Sequence, residues 1–340
     1  MAEVGIKDVA RYAGVSMATV SRVLNDSPRV GASTNERVRH AVKVLGYQPN
    51  YLARSMRTRS THVLGLLIRN ISNPNFASIA QAAEIAAIER GYNLILCNSY
   101  SDPARERNYI ELLLRRRVDG ILAFVADDST STIGAAVQRN VALVLAESQV
   151  PQVDADAIET DGEGGVCEAV RHLIYLGHTR IGLLAADQRI TPSRQRLAGY
   201  RRALAEVGIS YDVALVRFCD QEGHAVEREL AYLGALRPPV TAVMATSNRL
   251  TNRSLEYFRT KEVRLPEELS FVGFDDSLTT RLYDPPVTVV TRDREALGRK
   301  GVEMLLERIE GRAPQGYRRI VLPAKLEVRA STAPVSVLKE

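Results

Sequence analysis

Ten basic side chains crowd the first sixty residues of this 340-residue chain: Lys7, Arg11, Arg22, Arg29, Arg37, Arg39, Lys43, Arg54, Arg57 and Arg59. Only Glu3, Asp8, Asp26 and Glu36 oppose them, so this stretch nets +6, the whole chain +5 and the remainder −1. A guanidinium offers parallel N–H groups that match a phosphate or the edge of a guanine. Ser16, Thr19, Ser21 and Asn25, interleaved with Arg22, are short donors of the kind that bond phosphate oxygens. A small basic module on a near-neutral body is the electrostatic footprint of a nucleic-acid-binding head.

Other chemistry finds little support. Cys97, Cys167 and Cys219 lie far apart, fit no metal-ligand or redox spacing, and read as buried reduced thiols. His172 and His178 are too isolated for a metal site and read as surface residues. Gly162-x-Gly164-Gly165 lacks the spacing of a dinucleotide loop, and neither a phosphate-loop lysine motif nor a serine elbow occurs. The chain therefore reads as a non-enzyme that needs no metal or cofactor. No apolar run approaches the ~18–20 residues of a membrane span. The charged segment Met1–Arg11 lacks the apolar core of a signal peptide. The chain is therefore expected to stay in the cytoplasm.

The elements that must position the basic head are legible. Ile6, Val9, Ala10 and Ala13 share one face of a helix that Gly14 stops. Ser16 then caps a second helix, Met17–Leu24, which buries Val20, Val23 and Leu24. Two short helices around a Gly-containing turn make a helix-turn-helix. A third helix is expected to start at Ser33 with Glu36 completing a capping box, to bury Val38, Val42 and Leu45, and to stop at Gly46.

Ile6-Lys7-Asp8-Val9-Ala10, Ala13-Gly14-Val15-Ser16, Thr19-Val20-Ser21-Arg22-Val23-Leu24-Asn25 and Leu45-Gly46-Tyr47-Gln48-Pro49-Asn50 carry a resemblance. They are similar to the N-terminal motif of the LacI/GalR (lactose-repressor) family of transcription regulators, and the similarity continues through nearly the whole chain. It implies a homodimer whose two heads read a roughly palindromic operator in double-stranded DNA. Positions 17, 18 and 22 match the family's base-reading positions. Arg22 can bond a guanine, worth about 1–3 kcal/mol of discrimination. Met17 and Ala18 can only touch apolar groups such as a thymine methyl, and Met17 is alternatively a partly exposed packing residue. Ser16, Thr19, Ser21, Asn25 and Tyr47 suit phosphates. After this head, residues 1–48, comes a hinge, 49–60. In the family such a hinge forms a helix on operator and enters the minor groove, where an apolar wedge kinks the duplex. Asn50, Ala53, Arg54 and Met56 fall at its contact positions, and Met56 stands where Leu is usual. The alternative is a plain basic linker.

From residue 61 to 340 the pattern changes to short apolar runs alternating with helical stretches. Val63–Ile68, Asn93–Cys97, Gly120–Val125, Ala142–Ala146, Ile181–Ala185, Ala214–Phe218, Ala242–Ala245, Leu269–Phe274 and Val287–Thr291 read as strands. Asn73-Pro74 and Asp102-Pro103 open helices, and Asp161 caps one that ends at Gly177. This alternation argues for doubly wound parallel sheets, too many strands for one, hence two lobes. By resemblance the body is periplasmic-binding-protein-like, with three crossovers between lobes. Lobe one takes about 61–160 and 292–320, lobe two about 161–289 and 321–332.

Ligands of open α/β sheets sit beyond the carboxyl ends of strands. Asn75 and Phe76, Phe124, Glu147, Ser247, Asp275 and Arg292 stand at or soon after such ends. By resemblance Arg196 is an effector-anchoring arginine and Asp275 an acceptor of ligand hydroxyls or amines. Glu147 stands where Asp is usual and Arg292 where Gln is usual. Carboxylates with arginines suit a carbohydrate-like effector: a sugar, a sugar acid or a sugar phosphate. Arg292 alternatively pairs with Glu147 or Asp275 across the cleft. Phe218 either stacks on the ligand or packs in the core. Gly162 for a usual Asn, and Asn252-Arg253 for a usual Leu-Gly, depart from the family. The resemblance implies a regulator, in the repressor sense, whose operator affinity is set by an effector between the lobes. The tail after Thr332 is too short for a tetramerising heptad helix, so a dimer is expected.

Overall fold

The computed structural model describes residues 4–24, 29–47, 60–220 and 223–335. The chain divides after Thr61 into two units.

The first unit contains α1 (Ile6–Ala13), α2 (Met17–Leu24) and α3 (Ala32–Leu45) around a core of Val9, Val20, Val23, Val38 and Ala41. Gly14 takes φ +62°, which lets the Val15 N–H reach the Ala10 carbonyl at 3.0 Å and turns the chain sharply into α2. Arg37 on α3 donates to the Ala13 carbonyl at 3.0 Å, pinning α3 to the end of α1. The expected cap of α3 is corrected: the helix begins at Ala32 behind Gly31, and no side chain caps it. Gly31 already has the extended conformation an N-cap needs, so the Ser33 hydroxyl comes two residues too late.

The body holds two sheets. Lobe one is built from β1 (Val63–Ile68), α4 (Pro74–Ile88), β2 (Asn93–Asn98), α5 (Pro103–Arg115), β3 (Gly120–Ala123), α6 (Gly134–Gln138), β4 (Ala142–Ala146) and β5 (Asp156–Thr160). Lobe two follows with α7 (Gly162–Tyr175), β6 (Ile181–Ala185), α8 (Thr191–Glu206), β7 (Val216–Phe218), α9 (Val226–Ala235), β8 (Ala242–Ala245), α10 (Asn248–Thr260), β9 (Ser270–Phe274), α11 (Leu278–Leu282) and β10 (Thr288–Arg292). The chain then returns to lobe one as α12 (Arg294–Ile309) and β11 (Arg319–Leu322), and ends in lobe two with β12 (Ala324–Glu327). The sheet orders are β11-β5-β4-β3-β1-β2 and β12-β10-β9-β8-β6-β7. All neighbours are parallel except β10 and β12. Arg292 thus belongs to the second sheet and β11 runs to Leu322, which moves the second and third expected crossovers by two or three residues and leaves the first at 160/161.

The apolar runs form strands because both sheet faces are covered. Leu64, Leu66 and Ile68 pack under α4 and α12, while Leu67 faces α5 and α6. In lobe two α7 and α8 cover one face and α9 and α10 the other. Three strands escaped the sequence reading, β5, β11 and β12. β5 carries Asp156 and Glu159, both fully buried, which no apolar pattern announces. Arg308 holds Asp156 at 2.6 Å and Arg319 holds Glu159 at 2.8 Å, so distant partners make the burial tolerable. The strand expected at 214–218 is shorter because Val213–Leu215 forms a 3₁₀ turn capped by Asp212.

His178 is a second correction. It is completely buried, its Nδ1 against Thr241 Oγ1 and its Nε2 against the Ala333 carbonyl, both at 3.0 Å. A carbonyl only accepts, so Nε2 carries the proton and donates. His172 meets Thr332 Oγ1 at 3.0 Å. The two histidines fasten the C-terminal segment to lobe two, and burial lowers the pKa of both. The three cysteines are free and buried.

Candidate nucleic-acid interface and effector cleft

On α2 the inward face is Val20 and Val23, leaving Ser16, Met17, Ala18 and Arg22 exposed together. Met17 is 47% exposed on this face. Ser16 Oγ accepts the Thr19 N–H at 3.1 Å and lies 2.9 Å from Thr19 Oγ1. Thr19 and Ser21 are half-buried at the edges of this face, and Tyr47 packs partly against the head's core. Asn25, Asn50, Ala53, Arg54 and Met56 lie outside the described residues.

Between the lobes lies a cleft enclosing about 730 Å³ of empty space, part of it open to solvent. Two strand exits aim carboxylates into it. Glu147 after β4 and Asp275 after β9 both take left-handed backbone, φ +51° and +68°. That conformation costs a non-glycine residue about 1–3 kcal/mol and persists only where the surroundings impose it. Here the next strand does so: Glu147 N–H donates to Ile158 O at 2.9 Å, and Asp275 N–H to Val290 O at 2.8 Å.

Arg292 answers both carboxylates, Nε to Asp275 Oδ1 at 2.6 Å and Nη1 to Glu147 Oε1 at 3.4 Å. The two readings of Arg292 are therefore not exclusive, since it pairs across the lobes and also lines the cleft. Burial opposes its charge, yet the two carboxylates outweigh burial and raise its pKa. Burial likewise opposes the Asp275 carboxylate, but Arg292 holds it below the usual carboxylate range. Glu147 Oε1 also accepts from Thr160 N at 3.0 Å and Thr160 Oγ1 at 2.5 Å.

Arg196 on α8 donates to the Thr246 carbonyl at 2.8 Å and lays its guanidinium 3.8 Å from the Phe274 ring centre. Its Nε makes no hydrogen bond among the described residues. Burial, with Arg292 adding to it, lowers its pKa to about 10. Phe76 and Phe124 meet edge to face, 5.3 Å between ring centres, as an apolar wall. Ser247 lines the cleft while capping α10, accepting Leu250 N–H at 3.3 Å.

Asn75 is placed differently from the others. It is buried behind Asp275, donating to its Oδ2 at 2.5 Å while its own carbonyl accepts Arg294 Nη1 at 2.6 Å. Phe218 is 49% exposed on β7 and neither lines the cleft nor packs in the core. A Cβ on Gly162 would make ordinary van der Waals contact, 3.4–3.6 Å, with the side chains of Arg196 and Gln195. Asn252 faces Asn248 at 3.5 Å, and exposed Arg253 pairs with Glu256 at 2.8 Å.

The largest omission from the sequence reading is Arg69. It follows β1 directly, the position that singled out Glu147 and Asp275, and lines the cleft fully buried. Its Nε donates to Val125 O at 2.8 Å and its Nη2 to Glu147 O at 2.9 Å. Burial lowers its pKa. Ser193 and Arg249 also line the cleft, from the first turns of α8 and α10.

A helix-turn-helix head on a two-lobed α/β body with a polar cleft between lobes defines a class: DNA-binding proteins that carry their own small-molecule receptor. A profile described as bacterial regulatory proteins, lacI family, matches residues 5–50, and one for a periplasmic binding protein-like domain matches 170–332. The transcriptional regulator DegA of Bacillus subtilis is 31% identical, with 97% of this chain and 98% of that one covered. The repressor PurR of Haemophilus influenzae is 31% identical, with 96% and 98% covered. The structure of the lac repressor dimer bound to operator and an anti-inducer superposes with TM-score 0.84 at 28% identity, covering 98% of this chain and all of that one. The chain belongs to the lacI family of bacterial transcriptional regulators. No helix among the described residues is long and apolar enough to cross a membrane.

Proposed function

We propose that this protein is an effector-controlled operator-binding regulator of the bacterial cytoplasm, a homodimer without catalytic activity, and that its effector is a hydroxylated acid such as a sugar acid or sugar phosphate. One observation carries the ligand class. Among the described residues the cleft is lined by Arg69, Arg196, Arg249 and Arg292 against only Glu147 and Asp275. Arg292 already serves both carboxylates, while Arg69 and Arg196 rest on neutral carbonyl oxygens and an aromatic face. Buried cations held by neutral groups leave an excess of positive charge that an anionic ligand relieves. Hydroxyls then bond the rim of Ser193, Ser247, Glu147 and Asp275.

On the DNA side, Arg22 reads a guanine, Met17 and Ala18 touch apolar groups in the major groove, and Ser16, Thr19, Ser21 and Tyr47 hold phosphates. Exposed apolar side chains on both lobes, Ile85, Ile88 and Leu96 on one and Leu278 and Leu282 on the other, support a dimer face. Effector binding between the lobes changes their angle and, through the dimer, the placement of the heads. Such coupling is typically ~1–3 kcal/mol and reciprocal.

A thermal-shift screen of neutral sugars, their acids and their phosphates tests the ligand class, since a binder stabilises by mass action. Acids or phosphates should raise the melting temperature, and the shift should vanish in Asp275→Ala and Arg196→Ala. A shift with neutral sugars alone, or shifts unchanged in both variants, would refute the reading. Gel shift against a random-sequence DNA pool tests the operator reading.

A further inference from the structure

In lobe one the strands β4, β3, β1 and β2 lie side by side and parallel. Ala142 pairs with Gly120, Gly120 with Leu64, and Val63 with Asn93. Parallel strands start at one edge, so the helices that feed them must end there. That edge collects Arg90 past the end of α4, Arg116 at the end of α5 and Arg139 at the end of α6. At ~4.8 Å per strand the four strands spread them over roughly 14 Å.

All three arginines are exposed, and none forms an ion pair among the described residues. The carboxylates of the same edge are engaged elsewhere. Glu89 holds Arg299 at 2.7 Å, Glu111 holds Arg115 at 3.0 Å, and Asp119 accepts the His62 N–H at 2.9 Å. A cation at a helix C-terminus is favoured by about 0.3–1 kcal/mol, which accounts for one per helix. It does not account for three consecutive arginines, Arg115, Arg116 and Arg117, in a body that nets −1.

The chain from the DNA-binding head joins the body at this same edge. His62 O accepts Asn93 N–H and Val63 O accepts Asp119 N–H, each at 2.9 Å. We propose that this edge of lobe one is a second DNA-binding surface, on which Arg90, Arg116 and Arg139 hold phosphates flanking the operator half-site without reading sequence. A head bound to its site tethers the duplex and keeps its local concentration high. Duplex DNA carries one charge per ~1.7 Å, so a 14 Å span offers about eight phosphates to three guanidinium groups.

The proposal rests on the operator-binding reading, and wild-type titration of a short duplex reports that reading separately. The full-length protein selects a site from random-sequence DNA. Wild type and the triple variant Arg90→Gln/Arg116→Gln/Arg139→Gln are then titrated by fluorescence anisotropy over a salt series. One duplex ends at the selected site and the other extends about ten base pairs on each side, roughly one helical turn. On the extended duplex the variant should bind at least ~10-fold more weakly. Its plot of log K against log salt should be shallower by about 2 units or more, at ~0.9 per lost phosphate contact. On the short duplex the two proteins should agree, with equal melting temperatures. An equal loss on both duplexes, or no loss on either, overturns the proposal.

Discussion

Arg292 is the residue on which the cleft's charge arrangement turns. It is the shared counter-ion of Glu147 from lobe one and Asp275 from lobe two. Arg292→Gln leaves two buried carboxylates facing each other, and breaking such a pair costs about 3–5 kcal/mol. Urea denaturation near neutral pH should show a loss of that size. The pH dependence has a defined sign. The depressed Asp275 contributes stability above its unfolded pKa of about 3.9, lost as pH falls through the lower folded value. Without Arg292, burial raises the carboxylate above its unfolded value, so the variant loses stability as pH rises. The deficit relative to wild type should therefore narrow between pH 7 and about pH 4. A deficit independent of pH would mean that packing, not charge, holds the pair.

At the scale of elements, the register of α12 on α4 depends on a missing side chain. A Cβ on Gly298 would lie 2.4 Å from Ile79 O and 3.1 Å from Ala83 N, both backbone atoms. Backbone cannot move aside as a flexible side chain does, so Gly298→Ala forces the helices apart. Overpacking of this kind typically costs about 1–3 kcal/mol. Chemical denaturation should show the midpoint lowered with an unchanged slope. A midpoint equal to wild type would show that α12 can slide without penalty.

For the whole molecule, the charge division predicts how DNA and partner subunits meet it. The basic head makes operator affinity fall steeply with salt. The exposed Leu278 and Leu282, 69% and 74% accessible and one turn apart on α11, mark an apolar face in need of a partner. Leu282→Glu should shift the protein towards monomer in sedimentation equilibrium, and operator affinity should drop at least ~10-fold because two half-sites are no longer read together. A dimer of undiminished strength would place the interface elsewhere.

Local patterns were enough to find the helix-turn-helix, most of the strands and some of the residues around the cleft. Helical periodicity, glycine stops and apolar runs are set by neighbours a few positions apart. The strand-end rule also located Glu147 and Asp275. What stayed hidden depends on partners far along the chain. β5 reads as polar because Asp156 and Glu159 are neutralised by Arg308, Arg318 and Arg319, more than 150 residues away. Arg69 directly follows β1, where the strand-end rule points, but its burial is decided only by the carbonyls of Val125 and Glu147 that converge on it. His178 reads as exposed until the C-terminal segment folds over it. By itself, then, the sequence determined the basic head, the repeating strand–helix body and the chemical types of its cleft. Only the tertiary structure decided which charges neutralise one another and which remain for a ligand, because a buried charge is tolerated or not according to contacts that no local pattern contains.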